Sequence, residues 1–218
     1  MFASIRRYRI QTGSMDELAS RVDTDFAQQI SFRPGFTSYE FVDCGDGEVM
    51  TISIFADGQG ADASRELAHR WTEERLGDFE FTRMEPLRGE VLVSRADSDM
   101  LSPGHIGAAA PRFCSIRRYA LRGGDIGDLM HVVDDSFAPR IEQMRGFEAY
   151  HALDRGGGEL CTVSLFTDQA AAEDSDELAL EFVKRELAGR FDLERTEVIA
   201  GAVLVSRAMA ALLQPAHA

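Results

Sequence analysis

Lysine occurs only once among the 218 residues, at Lys184, tryptophan only at Trp71, and cysteine only at Cys44, Cys114 and Cys161. Three scattered cysteines with no C-x-x-C spacing and no nearby histidine pair supply neither a disulfide framework nor a zinc site. They are read as reduced core residues, and no metal is expected. No stretch approaches the ~20 apolar residues that span a bilayer. The opening MFASIRRYRI also lacks the basic, apolar, small-residue order of a signal peptide, so a cytoplasmic location is expected. Positive charge is in deficit as well: a formal net charge of -14 repels phosphate backbones and anionic headgroups, which argues against nucleic acid and membrane as partners. A glycine-rich phosphate loop, a Ser-His-Asp set and a well-placed Cys-His set are all missing, and no cofactor is expected.

What is present is ordinary for a globular protein, with 44% hydrophobic and 28% charged residues, enough to pack a core. It is also present twice. Residues 2–8 read FASIRRY and residues 113–119 read FCSIRRY; the offset persists through Gly35 and Gly146, and through TISIF at Thr51 and TVSLF at Thr162. After one added residue near Ala188, GEVLVSRA from Gly89 aligns with GAVLVSRA from Gly201. Roughly 40 of about 95 aligned positions are identical, the mark of an internal duplication. The expected domains are residues 1–96 and 113–208. A linker over 97–112, polar and then rich in Gly, Ala and Pro, joins them, and a tail over 209–218 follows.

Each unit opens with an apolar strand. A helix follows, with apolar residues at Met15, Leu18, Val22, Phe26 and Ile30, matched by Ile126, Leu129, Val133, Phe137 and Ile141. Ser14 and Glu17 have the form of a capping box, and Pro139 predicts a kink or early end in the second copy only. A hairpin turns at residues 45–47 or 156–158. A second helix is expected over 61–76 or 174–187, stopped by Gly77 or Gly189, before a last strand through Val91–Val93 or Val203–Val205. The order β-α-β-β-α-β is the ferredoxin-like unit, an α+β fold with helices on one sheet face. The bare face needs a cover, and the second unit is the available one.

The opening strand, the Pro34-Gly35-Phe36 after the first helix, the hairpin, and a Trp-bearing helix before a final EVLV strand resemble the antibiotic biosynthesis monooxygenase-like superfamily of dimeric α/β-barrel proteins. The resemblance covers both units. It implies tandem ferredoxin-like units whose sheets face each other in an intramolecular dimeric α/β barrel, with a small-molecule cavity in each half between sheet and helices. Association of whole chains into something larger is left open. The superfamily contains cofactor-independent oxygenases of polyphenols, haem-degrading enzymes and isomerases. The implied activity is therefore a cofactor-independent monooxygenase or isomerase acting on a small aromatic or apolar molecule; the alternative is a non-catalytic small-molecule-binding or structural barrel. Haem-degrading members pair a strand asparagine with a tryptophan and a later histidine. Here no strand carries asparagine, and Phe81 stands ten residues beyond Trp71, so that chemistry is not expected.

Trp71 and its counterpart Phe182 share the sheet-facing side of the second helix, as core aromatics or as pocket walls. His69 and His131 lie on solvent-facing helix sides, while His105 falls in the linker and His217 in the tail. Glu40 and His151 occupy equivalent positions on a mostly apolar strand face. They are the weak candidates for pocket acid/base groups, against a satisfied structural role. Tyr39 and Tyr150, on the opposite strand face, are assigned to the barrel seam or a pocket wall. Arg6, Arg7, Arg117 and Arg118 fall mid-strand, and Arg95 and Arg207 near the ends of the last strands. Ion pairs at the barrel ends are expected of all six, with recognition of a substrate carboxylate or phenolate as the functional alternative. Since Trp71 becomes Phe182 and Glu40 becomes His151, the two cavities are not expected to be equivalent.

Overall fold

The computed structural model describes residues 1–103, 112–214 and 216. His105 and His217 lie outside them. The first half runs β1 Phe2–Thr12, α1 Met15–Arg21, a π turn Val22–Phe26, α2 Ala27–Ser31, β2 Phe36–Gly45, β3 Glu48–Phe55, α3 Gly58–Arg75, β4 Glu80–Arg83 and β5 Leu87–Ala96. The second runs β6 Arg112–Gly123, α4 Ile126–Val132, a π turn Val133–Phe137, α5 Ala138–Glu142, β7 Phe147–Asp154, β8 Glu159–Phe166, α6 Gln169–Phe182 with a π turn Val183–Leu187, and β9 Asp192–Ala208. The two halves follow the β-α-β-β-α-β order, and differ where one long β9 corresponds to the pair β4 and β5. Pro86 causes that break, since it has no N–H to give a ladder, whereas its counterpart Val198 sits inside β9 opposite Arg117.

Within each half the antiparallel order is β2-β3-β1-β5 and β7-β8-β6-β9, with β4 beside β1. The sheets face one another and are also zipped along both edges. Val42 pairs with Val203 across β2–β9, and Val91 with Leu153 across β5–β7, closing an eight-stranded barrel within one chain. Closure leaves no free edge among these eight strands. The crossings occur at the repeated glycines. A Cβ on Gly89 would lie 2.3 Å from the Asp154 carbonyl oxygen, and one on Gly201 2.2 Å from that of Asp43, so only glycine lets each last strand pass from its own half to the other.

The hairpin strands β2, β3, β7 and β8 are buried on both faces over most of their length. Ile5, Ile52, Ile54, Ile116, Val163 and Leu165 fill the barrel with Cys114 and Cys161, while the outer faces pack under the helices in one cluster per half. Ion pairs bind the halves together. Arg95 reaches Asp134 at 2.6 Å, Arg207 pairs with Asp23, and Glu197 accepts from Arg7 at 2.8 Å and Arg118 at 2.9 Å.

Two local expectations are corrected. Pro139 does not distinguish the halves. Both first helices carry a π turn at the same place, and Pro139 sits in the first turn of the segment that restarts after it, where a missing N–H costs little. The capping box at Ser14 does not form either: the Ser14 side chain caps no donor, and Glu17 turns to Arg21 in an i,i+4 ion pair. The second helices start at Gly58 and Gln169, earlier than the apolar period predicts. Asp57 and Asp168 accept there from the Gly60 and Ala171 amides at 2.8 Å.

Candidate functional site

Each half has an apolar cavity between its sheet and its helices. In the first half β1, β2 and β3 supply Arg6, Tyr8, Tyr39, Phe41 and Thr51; the helices close over them with Leu18, Val22, Phe26, Ala68 and Trp71. The free volume is about 50 Å³, and the equivalent second cavity, walled by Tyr150 and Phe182, has about 40 Å³. Both are small beside the roughly 300 to 1,000 Å³ of established ligand pockets, so an occupant the size of one ring is admitted only as side chains shift.

Four of the six candidate site residues gather at these cavities, and the other two face away from them. Tyr39 with Trp71, and Tyr150 with Phe182, line the cavities under the helices. Glu40 and His151 project the other way, into the barrel, on the face that carries Val42 and Ala149 with Leu153. The tyrosines thus take the pocket-wall alternative, and the assignment of Glu40 and His151 to the pockets is corrected.

Inside the barrel Glu40 is 1% exposed, with Oε2 accepting from Ser38 Oγ at 3.4 Å and Oε1 without a partner. Burial pushes its pKa up to about 8. His151, also 1% exposed, meets Ser94 Oγ through Nδ1 at 3.0 Å, and burial pulls its pKa down to about 4. Both are therefore neutral at pH 7, the form a low-dielectric interior favours. Neither lines either cavity. His69 and His131 are solvent-exposed, as their helix positions predict.

The polar groups of the first cavity are the Arg6 guanidinium and the hydroxyls of Tyr8, Tyr39, Thr51 and Thr72. Arg6 and Thr51 are direct cross-strand partners, and the Tyr39 and Thr51 hydroxyls have no hydrogen-bond partner. Trp71 is held in place by Nε1, which donates to Asp25 Oδ2 at 2.9 Å, and by Phe26, whose ring centroid lies 5.1 Å from the indole. Burial raises the Tyr39 pKa far above the usual phenol value, so Tyr39 remains a protonated donor. Among the described residues no carboxylate, histidine or cysteine lines this cavity. Sequence reading missed Thr51 and placed Arg6 at a barrel-end ion pair. The signal that marks Arg6 out is a charge reversal between the two copies at Arg65 and Asp176.

No protein-family model matches the sequence, and no curated protein matches it. Solved structures do match over nearly the whole chain. A candidate monooxygenase from Lactobacillus acidophilus aligns with a TM-score of 0.68 at 12% identity, covering 98% of this chain and 97% of its own. A second candidate monooxygenase, from Fusobacterium nucleatum, gives 0.68 at 7% identity over 95% and 94%. A variant chlorite dismutase from Candidatus Nitrospira defluvii gives 0.56 at 10% identity over 93% and 90%. At these identities the likeness is one of fold: a dimeric α/β barrel built within one chain. No helix among the described residues is long and apolar enough to cross a membrane.

Proposed function

We propose that this protein binds a small aromatic or apolar molecule, about one ring in size, in the cavity of its first half. The observation that carries this reading is the pair of buried hydroxyls, on Tyr39 and Thr51, left without partners in an aromatic-walled cavity. An unpaired buried polar group costs about 1 to 3 kcal/mol, and a bound acceptor removes that cost. The second half completes the barrel and keeps a smaller cavity whose arginine pairs with Asp176 and two serines.

A second reading, cofactor-independent oxygenation of the bound ring, is favoured by the full-length likeness to two candidate monooxygenases. Against it, and against isomerase chemistry, stands the lack of any carboxylate, imidazole or thiol along the cavity to take a proton. Binding without turnover is therefore the better-supported function.

The test is titration of the protein with phenol, followed through the emission of Trp71, the sole tryptophan. Saturation at one site, abolished by Ala68→Leu, which fills the cavity, is expected. Unchanged emission, or binding that survives the filled cavity, removes the reading. Oxygen uptake with the bound phenol would shift the choice to the oxygenase.

A further inference from the structure

We infer that the occupant of the first cavity is an anion, carrying a carboxylate or phenolate oxygen that takes against Arg6 the place Asp176 holds against Arg117. This rests on the cavity reading above and names the chemical class the site selects.

Arg6 and Arg117 occupy equivalent positions in β1 and β6, beneath the equivalent helices α3 and α6. Arg117 is completely enclosed, and each of its three guanidinium nitrogens has a partner. Nε donates to Asp176 Oδ1 at 2.6 Å, Nη1 to Ser164 Oγ at 2.8 Å, and Nη2 to Ser175 Oγ at 2.5 Å. Asp176 also accepts from Ser115 Oγ at 2.8 Å. Its charge is paired with Asp176, so cavity two has no unpaired cation to offer.

In the first half the same serines are present as Ser4, Ser53 and Ser64, but the position of Asp176 is taken by Arg65, whose side chain is 64% exposed and pairs outward with Asp62. Arg6 is left with a single hydrogen bond, from Nη2 to Ser64 Oγ at 3.0 Å. No carboxylate among the described residues pairs with it, and the Oγ of Ser53 has no partner. Arg6 is nevertheless only 7% exposed and lines the cavity beside the unpartnered Tyr39 and Thr51 hydroxyls. Burial pushes its pKa down, opposed by Tyr8 and Tyr39 and more weakly reinforced by Arg83 and Arg88. A buried cation without a counter-ion is costly, and an anionic oxygen that meets the guanidinium and two hydroxyl donors supplies what the sequence withholds.

The probe is 4-nitrophenol, which is yellow only as the phenolate, titrated with and without excess full-length protein while Trp71 emission reports occupancy. Bound to the wild type, its absorbance midpoint is expected to fall by about one pH unit, the signature of a tenfold preference for the anion. Arg65→Asp, at an exposed helix position, recreates the second-half arrangement and should cancel the shift. Arg65→Ala should keep it, and Arg6→Gln should lose it while Trp71 still reports binding. An unchanged or raised midpoint with Trp71 emission responding would overturn the anion and leave the cavity standing. A full shift retained in Arg65→Asp would overturn Arg6 as the partner. No response of either signal in the wild type would overturn the cavity reading itself, and this inference with it.

Discussion

Trp71 Nε1 donates to Asp25 Oδ2 at 2.9 Å, and both residues are exchanged together in the other half of the chain, where Phe182 and Ser136 occupy their positions. The hydrogen bond ties α3 to the π turn of the first helix and holds the indole over the cavity. Gln29 and then Trp71 hold the Asp25 carboxyl below its usual range. Trp71→Phe and Asp25→Ser should each cost about 1 kcal/mol. The double variant, which copies the second half, should cost less than their sum. Urea unfolding of the four proteins closes the cycle, and strict additivity would show that the two side chains do not interact.

The seam glycines invite a harsher test. At Gly201 the approach to the Asp43 carbonyl leaves no room for a Cβ, and the obstacle is backbone that cannot rotate away. Gly201→Ala should therefore destabilise by about 3 kcal/mol or more, in the class of severe steric effects. Gly77→Ala, where nothing lies within 4 Å of the added atom, should fall within about 0.5 kcal/mol of wild type. Equal midpoints for the two variants in thermal unfolding would remove the close crossing as a determinant of barrel closure.

Neither half closes a barrel by itself. A fragment of residues 1–101 would leave the β2 edge and the outer part of β5 without their partners β9 and β7, and would bare the face carrying Ile5, Ile52 and Ile54. Such edges and patches drive association. The fragment should sediment as a dimer or precipitate. A monodisperse, cooperatively unfolding monomer would contradict the burial argument.

The duplication and the strand-helix order were legible in the sequence because register at a fixed offset and helical periodicity are local signals. The orientation of the strands was not. With both faces of β2 and β7 buried, alternation separates Glu40 from Tyr39 and His151 from Tyr150, but it does not say which member faces the helices. Only the packing of Phe26 and Phe137 on the tyrosine rings decides it, with centroids at 5.4 Å in both halves. The π turns were equally hidden, since they add a residue to a turn without changing which residues are apolar. That is why Pro139 read as a break. Arg6 was misplaced for a related reason: its own segment, FASIRRY, repeats almost unchanged, and what distinguishes it is a substitution 59 positions away at Arg65.

Glu40 and His151 give the barrel opposing pH dependences. Glu40 holds its proton in the folded chain up to about pH 8, against an ordinary value of 4.5, with burial as the main cause, opposed by Ser38 and Arg112 and assisted by Glu148. Its contribution to stability is thus complete below about pH 4.5 and is lost as pH rises to about 8, because there the unfolded chain is the one that ionises freely. His151 is lowered by burial from 6.5 to about 4. Its contribution is complete above about pH 6.5 and is lost as pH falls to about 4, where the unfolded chain binds the proton more readily. Between about pH 4.5 and 6.5 the two slopes cancel, leaving these groups a plateau with a fall on either side. Glu40→Gln should remove the loss between about pH 6.5 and 8, a change on the order of a few kcal/mol across that window, and turn the plateau into a fall toward acid pH, because the His151 slope is no longer cancelled. His151→Asn should flatten the fall below about pH 4.5 and turn the plateau into a loss of stability with rising pH, the Glu40 slope being left unopposed. Urea midpoints measured from pH 4 to 8.5 check both, and a Glu40→Gln protein that loses stability above pH 6.5 as steeply as wild type would show that Glu40 is not the titrating group.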